Sequence, residues 1–460
     1  MRALTKATLV GLLAFLPLGA WPQTFEVLHD FALDLSDAVN PYAGLTQASG
    51  GNFYGTSSLG GVVNSGAVFT MRDEVVTLLY SFSFWGSDQA YPQAGLLQAR
   101  DGNLYGTTCG QGNNIDHVGT VFRISTDGTL TTLYSFSTNA PDGQEPEAGL
   151  IQCADGCLYG TASSGGSNGF GMVFRMTTNG NCTQMYAFGG SQDGSMPLAG
   201  LLHGADGYLY GTASQGGSYS WGTVFRLSTN GQYTTMHTFS GGSQPTVDGA
   251  FPAASLIQGR DGNLYGTTEY GGSNFKGAVF RLSTGKAYTT IHSFAGTDGA
   301  YPAASLIQAS DGNLYGTTTE GGTNGQGTIF RVSTNGAFSS LYSFTGGLDG
   351  ATPLAGVIQA KDGNLYGTTE AAGGVSDAGS IFRLDLVAPT IRLGVVSSSG
   401  GELVLIATGL TTLGPVVLLA STDLSTWQPI LTNTPAGTVT FPAVSMAGQP
   451  RCFFRVRQQQ

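Results

Sequence analysis

An aspartate stands four residues before a proline seven times along the chain, at Asp37, Asp88, Asp142, Asp193, Asp248, Asp298 and Asp349. Carboxylates repeated at one position of a symmetric array form a ring, and a ring of oxygens suits a divalent cation such as Ca2+. The same spacing is that of an Asx-type turn, in which the aspartate accepts backbone N–H bonds and the proline sets the approach to a strand. The sequence favours the turn and keeps the cation ring as the functional alternative. No cofactor is required on either reading.

A second set of carboxylates, Asp101, Asp155, Asp206, Asp261, Asp311 and Asp362, occupies Asp-Gly turns. Arg123, Arg175, Arg226, Arg281, Arg331 and Arg383 follow 20–22 residues later, whereas the first unit has Gly50 and Thr70, losing both partners together. Antiparallel pairing of the strands between them predicts a structural Asp–Arg ion pair in blades two to seven.

A third group lies in glycine-rich stretches that differ between units: Tyr219, Trp221, Tyr270 and Phe275, with Glu269, Glu320 and Glu370. Aromatic rings beside acids suit contact with a glycan or a peptide. Catalytic patterns find no such support. The five histidines are scattered, and neither a Gly-x-Ser-x-Gly elbow nor a His-Glu-x-x-His zinc pattern occurs. His29, His237 and His292 stand where other units have a fourth-strand tyrosine.

The elements that position these groups follow from internal repetition. Asn-Leu-Tyr-Gly-Thr or a near variant recurs seven times, with its tyrosine at Tyr54, Tyr105, Tyr159, Tyr210, Tyr265, Tyr315 and Tyr366. Each copy leads through a glycine-rich stretch to a Val-Phe-Arg type run, an Asn-Gly type turn and a run ending in aromatic-Ser-Phe. Four short β runs per unit of about 50 residues are the signature of a propeller blade. The seventh unit lacks its fourth run, and Phe25–Phe31 supplies that pattern at the other end of the chain. An all-β, seven-bladed β-propeller over 24–387, closed by the N-terminal strand, is therefore expected.

Composition agrees. Glycine contributes 72 of 460 residues and charged residues only 10%, while 41% hydrophobic residues can fill a core. With 18 Lys+Arg against 29 Asp+Glu and a net charge of −11, no nucleic-acid partner is expected. Residues 1–20 read as a signal peptide: Arg2 and Lys6, an apolar run over 7–18, then Gly19-Ala20. That run is too short to span a bilayer, so no membrane span is expected, and the product is placed outside the cell or at its surface. Of five cysteines, Cys153, Cys157 and Cys182 fall near successive turns, where one disulfide is expected. Residues 388–460 read as a small all-β, sandwich-like domain with runs at 402–407, 416–420, 438–441 and 452–456.

The unit Asp-Gly-Asn-Leu-Tyr-Gly-Thr-Thr, with its later Gly-Thr-Val-Phe-Arg-Leu-Ser-Thr-Asn-Gly, resembles the GloVer-type tandem repeats of secreted bacterial proteins over about residues 24–386. The resemblance implies a propeller-like array, export, and a variable C-terminal anchor or sorting region; residues 388–460 show no recognisable anchor motif. It implies no particular activity. The expected function is a secreted or surface-associated, non-catalytic binding or scaffold propeller. Its ligand, a glycan, a peptide or a surface protein, is placed on the face of the inter-blade loops. A propeller hydrolase or lyase with a channel metal ion, and a structural matrix component, are the alternatives.

Overall fold

The structure is a computed structural model that describes residues 24–386, apart from 34–36, 84–89, 111–117, 140, 242–247 and 372–376, together with the strand backbone of the C-terminal segment. The chain divides into two compact units, Gln23–Leu386 and one holding Val387–Gln460. In the first, seven four-stranded antiparallel sheets form a seven-bladed propeller. Blade two is representative, with strands Leu97–Gln98, Leu104–Thr108, Thr120–Ile124 and Leu130–Ser135. Phe25–Asp30 is the outermost strand of blade seven, paired with Ser380–Leu384 in the register Phe25↔Leu384 to Asp30↔Ser380. The first and last segments of the propeller thus share one sheet and remove an open edge.

The Leu-Tyr-Gly-Thr strand is buried on both faces because each blade is covered by two neighbours. Its glycine has a specific cause. In blade four Gly211 pairs with Phe225, and a Cβ on Gly211 would lie 2.5 Å from the Phe225 ring. The third-strand phenylalanine lies across the glycine and meets the fourth-strand phenylalanine of the preceding unit edge to face. Phe82–Phe122, Phe188–Phe225 and Phe344–Phe382 have ring centroids 5.2, 5.3 and 5.4 Å apart. Phe31–Phe69, at 5.3 Å, closes the circle.

Two hydrogen bonds repeat around the ring beside these aromatic contacts. A buried second-strand threonine donates to an alanine carbonyl of the next blade, from Thr56 to Ala94 (2.8 Å) round to Thr368 to Ala43 (3.1 Å). A first-strand glutamine accepts a backbone N–H from the preceding blade, as from Ser49 to Gln98 (2.7 Å) and from Lys361 to Gln47 (2.9 Å). Blade four has the exposed His203 at the glutamine position.

The second threonine of each Gly-Thr-Thr is paired differently. Thr108 with Thr120, Thr318 with Thr328, and Thr369 with Ser380 form buried hydroxyl pairs. In blade five Ala278 occupies the partner position, and the buried Thr268 hydroxyl has no hydrogen-bond partner. Replacing Thr268 by valine keeps the shape and removes an unsatisfied group, so it should stabilise the protein by about 1 kcal/mol. Chemical denaturation of the variant measures this.

Among the described residues, the second unit holds six strands in two three-stranded antiparallel sheets. Arg392–Ser399 and Thr438–Ser445 flank Glu402–Thr408, and Gln428–Asn433 and Phe453–Gln458 flank Val416–Ser421. Arg392–Ser399 and Gln428–Asn433 add two strands to the four runs legible in the sequence.

Candidate functional site

Strand order fixes two faces of the propeller. The hairpins joining strands one to two and three to four open on one face. The loops joining strands two to three and the connections between blades open on the other.

On this second face the loops are tied down. The inter-blade connection pairs with the strand-two-to-three loop of the same blade, as in Ala38–Val39 with Leu59–Gly60 and Gly249–Ala250 with Tyr270–Gly271. Ser195–Gln215, Ala300–Glu320 and Ala351–Ala371 bridges repeat the contact elsewhere. The face is therefore a preorganised collar.

The residue before each proline carries a positive φ without being glycine: Asn40, Tyr91, Glu145, Met196, Phe251, Tyr301 and Thr352, with φ between 52° and 63°. Its N–H donates to a carbonyl of the preceding blade, Phe251 to Trp221 (3.0 Å) and Tyr301 to Lys276 (2.9 Å). That bond offsets the conformational cost of a side chain in the left-handed region. The accepting residue precedes a glycine that must remain small. A Cβ on Gly222 or Gly277 would lie 2.5 Å from the ring of Pro252 or Pro302. Backbone and glycine repeat from blade to blade while the two paired side chains change, for example Ser65 with Tyr91, Trp221 with Phe251, and Lys276 with Tyr301.

In blades four to six these variable side chains form a row of rings. Trp221 meets Phe251 at 5.2 Å, Phe251 meets Tyr270 at 5.6 Å, and Tyr270 meets Tyr301 at 5.1 Å. Lys276 lies over the Tyr301 ring, 4.6 Å from its centroid, and donates to the Tyr301 hydroxyl at 2.7 Å. Glu269 is the main cause that raises the Tyr270 hydroxyl above its ordinary pKa, with Tyr301 and Glu320 adding to it. Burial raises the carboxyls of Glu269 and Glu370. Burial, and then the neighbouring Glu145, push Glu147 up to about 7.

Of the residues singled out from sequence, Trp221, Tyr270, Glu269 and Glu320 come together here. Tyr219 and Phe275 are 60% and 63% exposed, and no ring contact joins either to the row. Glu370 belongs to blade seven, where it acts electrostatically on Tyr42 along with Glu147 and Glu269. Phe251, Tyr301 and Lys276 were missed. Their signal was the residue just before the proline, and the one before the loop's last glycine, changing from copy to copy inside a constant frame.

The aspartates before the prolines, where described, are engaged by the fourth strand of the preceding blade. Asp142, Asp193 and Asp349 accept from the hydroxyls of Tyr134 (3.0 Å), Tyr186 (2.6 Å) and Tyr342 (2.9 Å). Asp37, Asp248 and Asp298 meet His29 (3.3 Å), His237 (3.2 Å) and His292 (2.9 Å) at the equivalent positions. Backbone N–H groups such as those of Ser137, Gly189 and Thr345 complete the Asx-type arrangement. Asp88 lies outside the described residues. Among the described residues, no group of three or more His, Cys, Asp or Glu is placed to hold a metal ion.

Burial tends to raise the carboxyl of Asp349, but hydrogen bonds from Thr345 and Tyr342 outweigh it and leave the pKa below 3.8. A depressed folded-state pKa contributes stability above the unfolded-state value and loses it as the pH falls through the folded one. Asp349→Asn should therefore melt below the parent at neutral pH and converge with it only as the pH falls through the ordinary aspartate range and below, as thermal melts over acid to neutral pH would show.

The hairpin aspartates take a tyrosine as their first partner. Each accepts from the tyrosine of its own Leu-Tyr-Gly-Thr strand, from Tyr105 to Asp101 (2.8 Å), Tyr210 to Asp206 (2.7 Å) and Tyr366 to Asp362 (2.9 Å), and likewise Tyr159 to Asp155, Tyr265 to Asp261 and Tyr315 to Asp311. Of the six expected Asp–Arg pairs, Arg175–Asp155 at 2.9 Å is the one within ion-pair distance among the described residues. Arg383 instead meets Glu26, Glu74 and Asp385, and Arg226 lies over the Tyr208 ring. Arg123, Arg281 and Arg331 form no ion pair with Asp101, Asp261 and Asp311 within 4 Å. The arginine is the cross-strand neighbour of the tyrosine, as in Tyr105↔Arg123, so the tyrosine hydroxyl reaches the carboxylate first.

The expected disulfide does not form either: Cys109, Cys153, Cys157 and Cys182 are free. Cys153 and Cys157 pack against Leu209 and Phe225 of blade four, while Cys182 packs on the other side of blade three beside Phe136 and Tyr134 of blade two.

The family model for the Gloeobacter/Verrucomicrobia repeat matches residues 41–259 and 199–398. No curated protein matches the chain. Among solved structures, the periplasmic gluconolactonase of Pseudomonas aeruginosa is similar at 15% identity and a TM-score of 0.45, over 89% of this chain and 98% of that one. An ulvan lyase of polysaccharide lyase family PL25 is similar at 9% identity and a TM-score of 0.43, over 84% and 93%.

Proposed function

From the premise that this chain belongs to the Gloeobacter/Verrucomicrobia repeat family, we propose that it is an exported, non-catalytic binding module whose ligand, a glycan or a peptide, lies across the aromatic row of blades four to six. The observation that carries this reading is the row itself. On a scaffold that repeats seven times, Trp221, Phe251, Tyr270 and Tyr301 are neighbours on one part of one face. Trp221 and Tyr270 remain 38% and 42% exposed. Rigid, partly exposed rings offer contact area at little conformational cost, and the pinned loops keep that cost low. The positive start and apolar run of residues 1–20 support export.

The test is an array of glycans and peptides probed with the full chain and with a Trp221→Ala/Tyr270→Ala variant. Ligands bound by the parent should lose at least about tenfold in affinity in the variant while its melting curve is preserved. Undiminished binding by a folded variant would sink the proposal.

A further inference from the structure

The row already holds one cation. Lys276 spans the Tyr301 ring at 4.6 Å with its amino group on the Tyr301 hydroxyl, so the aromatic surface presents an electron-rich face to positive charge. Lys276 belongs to blade five and Tyr301 to blade six, joined by the same backbone bond that joins Trp221 to Phe251 one blade earlier. At that earlier junction both partners are aromatic and the chain supplies no cation.

Charge is divided unevenly between the faces. Arg100, Arg260 and Lys361 sit in the first hairpins, Arg72 and Lys286 at the second hairpins, and the third-strand arginines at the ends leading into those hairpins. All lie on the face away from the row. Among the described residues of the propeller, Lys276 is the lysine or arginine on the face of the row. That face carries Glu269 and Glu320 beside the rings, and Glu147 and Glu370 in other blades. An acidic ligand would be repelled, and a neutral one would use the rings while leaving the charge unanswered. A chain of cationic side chains fits both features, because its stems and guanidinium planes cover aromatic rings while its charges face the carboxylates.

We propose that the occupant of the aromatic row is a basic peptide segment, rich in lysine or arginine, of a partner protein. This rests on the binding reading above and selects the peptide from its two ligand classes.

The test uses the full chain with three probes: a ten-residue lysine or arginine peptide, a ten-residue glutamate peptide and a neutral cello-oligosaccharide. The basic peptide should bind and the glutamate peptide should not. Affinity for the basic peptide should fall about tenfold as salt rises from about 10 mM to about 150 mM. It should fall by a similar factor, about tenfold, in Glu269→Gln/Glu320→Gln and in Trp221→Ala, each shown by its melting curve to be folded. Binding of the neutral oligosaccharide that depends on Trp221 but not on salt would overturn the choice of a basic peptide and leave the binding module standing. Binding of the basic peptide that ignores both Trp221→Ala and Glu269→Gln/Glu320→Gln would overturn the location. Failure of every probe, in the array as in this test, would overturn the binding module itself.

Discussion

Phe31→Ala should cost about 3–5 kcal/mol, as much as Phe188→Ala in the middle of the chain. Both phenylalanines are fully buried, and both end a fourth strand. Each donates its N–H at 3.0 Å to a glycine carbonyl, Phe31 to Gly379 and Phe188 to Gly171. Each meets the third-strand phenylalanine of the following blade at 5.3 Å, Phe69 for Phe31 and Phe225 for Phe188. They differ in connectivity. Phe188 joins consecutive repeats, whereas Phe31 joins the start of the propeller to its end, through a strand paired with Ser380–Leu384.

In an open array terminal repeats contact one neighbour, and a residue near the N-terminus would be cheap to remove. Equal losses for the two variants in chemical denaturation would mean that blades seven and one share an interface as strong as any other. A loss for Phe31→Ala below about 1 kcal/mol, beside a large one for Phe188→Ala, would mean that the ring is open in solution.

Closure was legible because it depends on counting repeated local patterns. The missing fourth run of unit seven and the surplus run at Phe25–Phe31 are visible without side-chain geometry. Strand identity was legible for the same reason, since alternation and Asp-Gly or Asn-Gly turns are properties of adjacent residues. The Asp–Arg expectation depends on one level more, the geometry of side chains across strands. Residues 101, 105 and 123 do meet at one end of a blade, but the choice of partner depends on reach, and the Tyr105 hydroxyl bonds to Asp101 four residues away. The histidines that replace fourth-strand tyrosines keep the same aspartate partner, which the sequence hinted at by position but could not assign.

The binding face was only half legible. Trp221 and Tyr270 stand out as aromatics in glycine-rich loops. Phe251 and Tyr301 take φ values of 54° and 57°, which nothing in their residue types announces. Their backbone is set by the following proline and by an N–H bond to the preceding blade, a contact that exists only after the blades have packed.

Gly211→Ala tests how the Leu-Tyr-Gly-Thr motif builds that packing. The glycine is not needed here for backbone freedom, since its φ is not positive. A methyl group at Gly211 would lie 2.5 Å from the Phe225 ring and 3.0 Å from Leu201, and Phe225 is fully buried. Phe225 is not free to move, because it is also packed against Phe188 and Tyr233. Overpacking of this kind should cost about 1–3 kcal/mol. The cause can be isolated with a second substitution. Phe225→Leu shortens the side chain that occupies the space, so the Gly211→Ala/Phe225→Leu pair should be less destabilised than the two single changes added together, by at least about 1 kcal/mol. Additive losses would place the cost elsewhere in the strand. A positive coupling would show that the motif's glycine exists to let the third-strand ring cross it, which in turn places that ring where the preceding unit's phenylalanine can close on it.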